Sequence, residues 1–263
     1  MTRRVLITGA SGNLGAKAVV ALRATADVEL VELGEADLSA YDPAWAERFD
    51  GADVVLHLAA DPRPLATWDS VISRNLDLSH NVLRAAERHG VGRFVFASSN
   101  WVLGGYRFTG DALRPDTTPR PVNAYGMSKL AIERAGAAIA AGGQMSFLAL
   151  RIGWCQPGEN RPGAHMAFGR WGQQLWLSND DWAQAVRLAC TAPFEGSAIV
   201  NVMSDNQGSR WDLSETQRLI GYRPTSHHTP RLSLLGKVTD AAARLRTTVF
   251  PAPDQPPLFG ARW

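Results

Sequence analysis

Long apolar segments are absent from the sequence, since no run approaches the roughly 20 residues that a membrane-spanning helix requires. The apolar stretch of a secretory signal is also missing, because Met1 to Arg4 lead straight into the strand-like segment Val5-Leu6-Ile7. We therefore expect a cytoplasmic protein without a membrane partner.

Cysteine is scarce and basic residues are not clustered. The two cysteines, Cys155 and Cys190, have neither the spacing of metal ligands nor a disulfide-rich context, so we expect no metal site. The 27 basic and 25 acidic residues give a formal net charge of +2, and the basic residues are spread along the chain. A nucleic-acid partner therefore has no electrostatic support. Lysine is rare, occurring only as Lys17, Lys129 and Lys237.

Polar low-complexity tracts are missing too, and the composition is that of a globular protein. Hydrophobic residues make up 45% of the 263 residues and charged residues 20%. A chain of this length buries roughly 70 to 75% of the surface that it exposes when unfolded, which is enough for one large core. We expect a single α/β domain.

Strand-length apolar runs alternate with helix-length amphipathic segments through most of the chain. Strands are predicted at 4–8, 28–33, 54–58, 93–97, 145–151 and 199–202, and helices at 13–25, 67–89 and 125–141. Such alternation is typical of βαβ units, in which helices cover both faces of a parallel sheet. The predicted fold is a Rossmann-type, doubly wound parallel sheet with a small C-terminal substrate-binding part.

A glycine-rich turn joins the first predicted strand to the first predicted helix. Small residues at such a turn let backbone N–H groups approach a pyrophosphate, whose charge the N-terminus of the helix stabilises. We therefore predict a dinucleotide site. Its predicted contacts are Gly9, Ser11, Gly12, Asn13, Leu14 and Gly15.

The segment after the second predicted strand bears on the choice of dinucleotide. An acidic group there hydrogen-bonds the ribose of NAD, whereas a basic group accepts the additional phosphate of NADP. Residues 28–38 contain acidic residues and no basic one, which favours NAD. Glu35 stands where the strand should end, and Asp37-Leu38 looks like the pair that flanks adenine, so the identity of the ribose-binding acid stays open.

Tyr125 and Lys129 open a predicted helix at a spacing of four residues, which places both side chains on one face. An ammonium group beside a phenol lowers the phenol pKa, so that the tyrosine can take an alcohol proton near neutral pH. Ser98 and Ser99 end the fourth strand region, at the sheet edge where parallel sheets bind ligands. We predict Ser99, Tyr125 and Lys129 as the catalytic residues.

Further cofactor contacts are predicted around the same edge. The small apolar segment Leu58-Ala59-Ala60 follows the third strand and can lie under a nicotinamide ribose. Asn75, on the next predicted helix, is placed to hydrogen-bond the cofactor region. Ser98, Tyr125 and Lys129 are also predicted to contact the cofactor.

Residues 153–176 break the alternation with repeated proline and glycine, and we interpret them as a long functional loop. Residues 1–152 would then mainly bind the dinucleotide, while 153–182 and 204–263 would form the substrate-binding loop and the C-terminal part. The Pro-rich end is expected to pack on the domain or on a neighbouring subunit, so a homo-oligomer remains an alternative to a monomer.

Five motifs together resemble the extended short-chain dehydrogenases/reductases, the NAD-dependent epimerase/dehydratase group, and the resemblance covers nearly the whole chain. They are the glycine loop, the Ala59-Ala60 turn, Ser98-Ser99, Tyr125-x-x-x-Lys129 and Arg151-Ile152-Gly153. Within that group the chain is most similar to uronate dehydrogenases, which oxidise the anomeric carbon of galacturonate or glucuronate to an aldarolactone with NAD. The segments that carry this similarity are 96–100, 151–153, 176–181, 211–212 and 221–224.

The resemblance implies roles for several residues. Ser99 and Tyr125 would contact the reacting hydroxyl, and Asn100 would contact sugar hydroxyls. Lys129 would hold the nicotinamide ribose, and Ile152 would also lie against the cofactor. An arginine of the long loop would bind the substrate carboxylate.

Two tryptophans depart from the uronate dehydrogenase pattern. Trp154 stands where that group has a serine after Arg-Ile-Gly, and Trp101 stands where it has a histidine after Ser-Ser-Asn. The hydride chemistry would be unaffected, but a tryptophan-lined site would suit a larger or less polar substrate. The carboxylate-binding arginine would be Arg170 by position, with Arg161 as the alternative.

We predict an NAD-dependent dehydrogenase that moves a hydride between nicotinamide and a hydroxyl or carbonyl of a small, sugar-like, anionic substrate. Oxidation of a uronic acid to its aldarolactone is one form of this reaction. The alternatives are an epimerase, a dehydratase or a ketoreductase acting on another polyol or a bulkier substrate, and a non-catalytic dinucleotide sensor with the same fold. Intact Ser99, Tyr125 and Lys129 argue against the sensor.

Overall fold

The computed structural model describes residues 2–234, 236–238 and 240–242, and a parallel sheet lies at its centre. The predicted Rossmann-type fold is confirmed, and all six predicted strands form within two residues of their predicted ends. Every neighbouring pair of strands is parallel. The strands are β1 (Arg3–Thr8), β2 (Val28–Glu32), β3 (Val54–His57), β4 (Arg93–Ser99), β5 (Ser146–Ile152) and β6 (Ser197–Val202), in the order β2-β1-β3-β4-β5-β6.

Helices connect these strands and cover both faces of the sheet. Two short strands, β7 (Asp205–Asn206) and β8 (His227–His228), pair in a second sheet. Short 3₁₀ segments lie at Glu47–Phe49 and Asn100–Tyr106. The α-helices up to residue 220 are α1 (Asn13–Arg23), α2 (Pro43–Ala46), α3 (Trp68–Val71), α4 (Leu78–Arg88), α5 (Ala124–Ala141), α6 (Gly169–Gln174), α7 (Asn179–Thr191) and α8 (Ser214–Ile220).

The strands bury both of their faces, because alternate side chains point to opposite sides of the sheet. Val5 and Ile7 of β1 pack on one side, in the same core cluster as Trp182 of α7. Leu6 packs on the other side, in the same cluster as Phe147 of β5. The two apolar layers leave the carboxyl ends of the strands as the edge where polar residues collect.

The helix predicted at 67–89 is not continuous. A π-helical segment, Ile72–Asp77, separates α3 from α4. Asn75 is buried in the segment, where its Oδ1 accepts a hydrogen bond from the backbone N–H of Asp61 at 2.8 Å. The apolar periodicity of the sequence could not predict this interruption, because the partner of Asn75 is Asp61, in another loop. π-helical turns of this kind occur frequently at functional sites.

The predicted long loop at 153–176 is partly helical. It contains α6, whose Trp171 joins a third apolar cluster together with Leu175, the C-cap of the helix. The remaining buried members of this cluster are Leu103, Leu113, Met203 and Trp211. Packing against these residues explains why the segment is ordered despite its glycines and prolines.

Two expectations concern the ends and the environment of the chain. Among the described residues, no helix combines the length and the apolar character that a bilayer crossing needs. The Pro-rich tail, expected to pack on the domain or on a neighbouring subunit, lies outside the described residues.

Candidate active site

The glycine loop between β1 and α1 brings backbone atoms close to one another. Gly9 has a φ of 71°, and a Cβ added to it would lie 2.6 Å from the backbone nitrogen of Ala59. Gly12 is the N-cap of α1 and provides no side-chain hydrogen bond to its first turn. The first N–H groups of α1 therefore remain available to an anion, as the binding of a pyrophosphate requires.

A cavity of about 360 Å³ lies between this loop and the carboxyl ends of β3, β4 and β5. Ser11 is exposed on the outer side of the loop, and Ala59 packs against Gly9. Most of the other predicted cofactor residues meet in this cavity. The predicted residues in its lining are Gly9, Gly12, Asn13, Leu14, Gly15, Leu58, Ala60, Ser98, Ser99, Tyr125, Lys129, Ile152 and Trp154.

Tyr125 and Lys129 lie one turn apart on α5 and share the cavity with Ser99, the last residue of β4. Helix α5 begins here because Asn123 caps it, its Oδ1 accepting a hydrogen bond from the N–H of Gly126 at 2.7 Å. Tyr125 and Lys129 are both buried, and the side chains of Ser99 and Tyr125 are hydrogen-bonded. The structure thus brings the three predicted catalytic residues together.

Burial determines the ionisation of this pair. It raises the pKa of Tyr125 to about 12, while the hydrogen bond with Ser99 lowers that pKa and the charge of Asp61 raises it. Burial also lowers the pKa of Lys129 to about 7. We predicted that Lys129 lowers the pKa of Tyr125, but in this structure burial is the largest influence on both pKa values, and it disfavours both charged forms.

A buried ion pair that the sequence patterns did not indicate lies behind the predicted catalytic residues. Glu133 on α5 accepts hydrogen bonds from Nε and Nη2 of Arg151 on β5, each at 2.9 Å. The hydroxyl of Ser98 donates to the same carboxylate at 2.5 Å. Ser98 lines the cavity but has its hydroxyl engaged inside the protein. The available signal was the spacing, because Glu133 follows Lys129 by four residues on a helix with few charges.

Asn75 contacts protein groups instead of lining the cavity. Its Nδ2 donates to the backbone oxygen of Asp61 at 3.2 Å and to Oγ of Ser128 at 3.3 Å. The guanidinium of Arg63 donates to the Asp61 carboxylate and holds the pKa of that carboxyl well below its usual range. Asn75 therefore positions the Asp61 loop beside Tyr125, which corrects its predicted contact with the cofactor.

At the end of β2, the structure presents a carboxylate that the sequence analysis did not single out. Glu32 is the last residue of β2 and is paired in register with Ile7 of β1, just before the glycine loop. Its carboxylate forms an ion pair with Arg23 at 2.6 Å. Glu35 and Asp37 lie further along, in an exposed segment. Glu32 therefore lies nearer to the glycine loop than Glu35 or Asp37, the two acids predicted to bind the ribose.

The predicted adenine-flanking pair, Asp37-Leu38, is engaged with the protein itself. Asp37 accepts hydrogen bonds from the hydroxyl and the N–H of Ser39 at 2.6 and 3.0 Å, and these bonds lower the pKa of its carboxyl. Leu38 is buried in the core, and its carbonyl accepts from Asn81 at 3.1 Å. The side chain of Leu38 therefore faces the core, contrary to its predicted place beside adenine.

Asn100 lies directly after Ser99, where the resemblance implied a contact with sugar hydroxyls. Its Nδ2 donates to the carbonyl oxygen of Ile152 at 2.9 Å. Its Oδ1 is buried and has no hydrogen-bond partner among the described residues. This acceptor fits a contact with a substrate hydroxyl, because a buried polar atom left without a partner is costly.

Three aromatic residues, Trp101, Trp154 and Phe168, form what we call the aromatic wall. The ring centre of Phe168 lies 5.2 Å from that of Trp101 and 5.7 Å from that of Trp154. The backbone N–H of Trp101 donates to Oγ of Ser99 at 3.3 Å, and Trp154 lines the cavity. Phe168, which the sequence analysis did not identify, has a φ of 67°. Such a conformation costs on the order of 1 to 3 kcal/mol in a non-glycine residue and is found often at binding sites.

The two predicted carboxylate-binding arginines do not line the cavity. The side chain of Arg161 is 82% exposed and pairs with Glu159 at 2.7 Å. Arg170 pairs with Asp240 at 3.6 Å and lines a separate cavity. Because α6 begins at Gly169, Arg170 belongs to a helix surface that faces the C-terminal segment.

A larger depression of about 1000 Å³ lies at the opposite edge of the sheet, around Arg3 and Arg93. Arg93 donates to the carbonyl oxygens of Ala189 and Ala192 at 3.2 and 2.8 Å, at the end of α7. This arginine thus caps a helix. Since parallel sheets bind ligands at the carboxyl ends of their strands, we place the active site in the smaller cavity.

Comparison with known proteins identifies the family. Residues 5–155 match the family model described as the NAD dependent epimerase/dehydratase family. The chain belongs to this family. The predicted family is thereby confirmed, and the predictions of an enzyme and of NAD as its cofactor are confirmed as well.

Several relatives share about a third of their sequence with the chain. L-arabinose 1-dehydrogenase (NAD(P)(+)) of Haloferax volcanii is 36% identical, over 84% of this chain and 96% of the relative. NAD-dependent glucose-6-phosphate dehydrogenase of the same organism is 31% identical, over 85% and 94%. Uronate dehydrogenase of Agrobacterium fabrum is 30% identical, over 96% and 91%.

Solved structures agree with the sequence relatives. A mutated uronate dehydrogenase is 28% identical, with a TM-score of 0.72 over 86% of this chain and 83% of that chain. A variant uronate dehydrogenase from Agrobacterium tumefaciens, complexed with NAD, is 25% identical, with a TM-score of 0.70 over 99% and 92%. The expected likeness to uronate dehydrogenases is confirmed, and the relatives named above also include dehydrogenases of other sugars.

Proposed function

We propose that the protein is a dehydrogenase that oxidises the anomeric carbon of an aldose sugar or of a sugar acid, with NAD as the hydride acceptor. The observation that carries this proposal is the meeting of the glycine loop with Ser99, Tyr125 and Lys129 in one cavity. The names of the relatives support the substrate class, since they refer to L-arabinose, glucose 6-phosphate and uronates. Oxidation of a uronic acid to its aldarolactone is one case of this reaction.

The residues around the cavity fit NAD. The bare backbone of the glycine loop and the uncapped start of α1 would hold the pyrophosphate. Glu32 would accept hydrogen bonds from the adenosine ribose, and Lys129 would hold the nicotinamide ribose. When bound, NAD supplies the acceptor for the hydride that leaves the substrate carbon.

Tyr125 acts as the general base in this proposal. Ser99, which is hydrogen-bonded to Tyr125, holds the reacting oxygen of the substrate against the phenol. The amine of Lys129 lies 5.6 Å from the ring centre of Tyr125, and in its protonated form it favours the phenolate. Asn100 accepts a hydrogen bond from a sugar hydroxyl, and the aromatic wall packs on the carbon face of the sugar ring.

Replacement of the proposed base tests the reaction. We expect the wild-type protein to reduce NAD with at least one of L-arabinose, galacturonate, glucuronate and glucose 6-phosphate, as followed by nicotinamide absorbance. Loss of a general base is worth roughly 100- to 10,000-fold, so Tyr125→Phe should lower kcat within that range and leave the Kd for NAD near its wild-type value.

Tyr41→Phe is the matched control, because Tyr41 packs against Trp45 and does not line the cavity. A wild-type protein that reduces no NAD with any of the four sugars contradicts the proposal. Formation of an isomeric or dehydrated sugar without accumulation of NADH would favour an epimerase or a dehydratase instead.

A further inference from the structure

Shortly after β5 the chain crosses the start of α1, and two side chains of that helix bind it there. Nδ2 of Asn13 donates to the carbonyl oxygen of Cys155 at 2.8 Å. Nζ of Lys17 donates to the carbonyl oxygen of Gln156 at 2.6 Å and to Sγ of Cys155 at 3.2 Å. Asn13 and Lys17 lie four residues apart, so both project from one face of α1. We call residues 155–157 the crossing segment.

The crossing segment forms part of the wall of the active-site cavity. Cys155 and Pro157 line this cavity together with Gly12 and Asn13 of the glycine loop and α1. The segment therefore borders the place where the first N–H groups of α1 would bind a pyrophosphate. A displacement of the segment would change the shape of the cavity on that side.

Lys17 differs in its surroundings from an ordinary lysine of a helix surface, which extends its ammonium group into water. It is half-buried and forms no ion pair within the described part of the chain. An ammonium group has three N–H donors, and Lys17 directs two of its hydrogen bonds at the crossing segment. Hydrogen bonds from a charged donor are stronger than those between neutral groups. Lys17 therefore contributes to the position of the segment.

The crossing segment is also fixed at both of its ends. Before it, the backbone of Trp154 is hydrogen-bonded to Leu175 and Leu177 at 2.7 and 3.0 Å. After it, Oδ1 of Asn160 accepts a hydrogen bond from the N–H of Gln156 at 2.8 Å, and Nδ2 of Asn160 donates to the carbonyl oxygen of Leu177 at 2.6 Å. Between these anchors, α1 supplies donors to two successive carbonyl groups of the segment.

We propose that Lys17 is a positioning residue for the dinucleotide, which holds the crossing segment in place beside the pyrophosphate. Lys17 does not itself line the cavity, so it acts through the segment and not by direct contact. The inference rests on the proposed function, in which NAD occupies this cavity as the hydride acceptor. Lys17 thus serves the binding of NAD, whereas Ser99 and Tyr125 serve the transfer step.

Lys17→Met tests the role, because methionine is similar in length and lacks the charge and the N–H donors. We expect the Kd for NAD to rise about 5- to 50-fold, since NAD would then have to order the segment on binding, while kcat at saturating NAD changes less than about threefold. Without NAD, amide hydrogen exchange should become faster in residues 155–160 and stay unchanged in β4. Lys17→Arg keeps a cation with N–H donors and should recover part of the affinity. The matched control is Arg187→Met, on the exposed side of α7.

Salt separates a positioning role from a direct attraction between Lys17 and the pyrophosphate. Raising NaCl from about 50 to about 500 mM screens such an attraction, so the difference in Kd between the variant and the wild-type protein would then disappear. A positioning role keeps the ratio of the two Kd values, and a ratio that falls to one contradicts the inference.

The other outcomes also distinguish the inference from the proposed function. The inference is wrong if Lys17→Met leaves either the Kd for NAD or the exchange of residues 155–160 at its wild-type value, or if exchange in β4 rises equally. In these cases the dehydrogenase proposal stands, because the reduction of NAD by the wild-type protein tests it. A wild-type protein that binds NAD but oxidises no sugar removes the proposed function, while the Kd and exchange measurements still decide the role of Lys17.

Discussion

Tyr125 and Lys129 lie in one low-dielectric pocket, and burial moves both pKa values away from those of exposed side chains. The phenol is held neutral at a pKa of about 12, and the amine titrates near a pKa of about 7. The hydrogen bond with Ser99 is the contact that lowers the pKa of the phenol. In the proposed reaction, the Ser99 hydroxyl therefore helps to set the pH at which Tyr125 can act as a base.

Ser99→Ala should move the pH dependence of the reaction to higher pH. In the proposed reaction the active form of Tyr125 is the phenolate. Loss of the Ser99 hydrogen bond raises the pKa of the phenol, so the rising limb of kcat/KM against pH moves to higher pH. At a mildly alkaline pH we expect kcat/KM to fall roughly 10- to 100-fold, as for a lost hydrogen bond to a charged group. Ser99→Thr keeps the hydroxyl and should restore the wild-type position of the limb; an unchanged profile in Ser99→Ala would show that Ser99 does not act on the base.

Glu32 is the residue at which cofactor preference should be decided. We expect Glu32→Gln to weaken NAD binding about tenfold, because the ribose loses a charged acceptor. The same change leaves Arg23 without its carboxylate, so the affinity for NADP should rise. Titration of protein fluorescence with both dinucleotides measures the ratio. Glu35→Gln and Asp37→Asn are measured alongside, and a larger loss of NAD affinity in either one would reassign the ribose-binding acid.

Among the helices and strands, α5 carries the proposed catalytic residues Tyr125 and Lys129 and, on the same face further along, the buried Glu133. Tyr125, Lys129 and Glu133 follow one another at four-residue spacing, and all three are buried. Glu133 joins α5 to β5 through Arg151 and to β4 through Ser98. This network fixes the helix against the two strands whose ends border the cavity.

Glu133→Gln should destabilise the protein strongly. Removal of one partner from a buried ion pair leaves the other charge uncompensated and typically costs about 3 to 5 kcal/mol. Urea unfolding followed by circular dichroism measures the change in free energy of unfolding. Glu215→Gln removes the carboxylate of a surface pair with Arg218 and should have little effect. A loss below about 1 kcal/mol in Glu133→Gln would mean that water or a rearranged partner compensates Arg151.

Across the molecule as a whole, the fold could be predicted from the sequence because its signals are local. The strands alternate or run apolar, the helices begin at capping residues such as Asn123, and the glycine turn stands between β1 and α1. The same local signals placed Ser99, Tyr125 and Lys129, since a strand end and one helical turn determine where those side chains lie. The interruption of the helix at Ile72–Asp77 was missed because it depends on the Asp61 loop, which is distant in sequence.

The amino-acid sequence alone determined the parallel sheet, the dinucleotide loop and the predicted catalytic residues. The spacing of residues along a single strand or helix is enough to define each of them. Three others came only with the packed structure: which acid lies at the end of β2, that Asn75 supports a loop, and that Phe168 joins Trp101 and Trp154 in the aromatic wall. These features depend on which side chains from separate segments meet and which charges they find there. Partners of this kind are set by long-range packing, which no local pattern records.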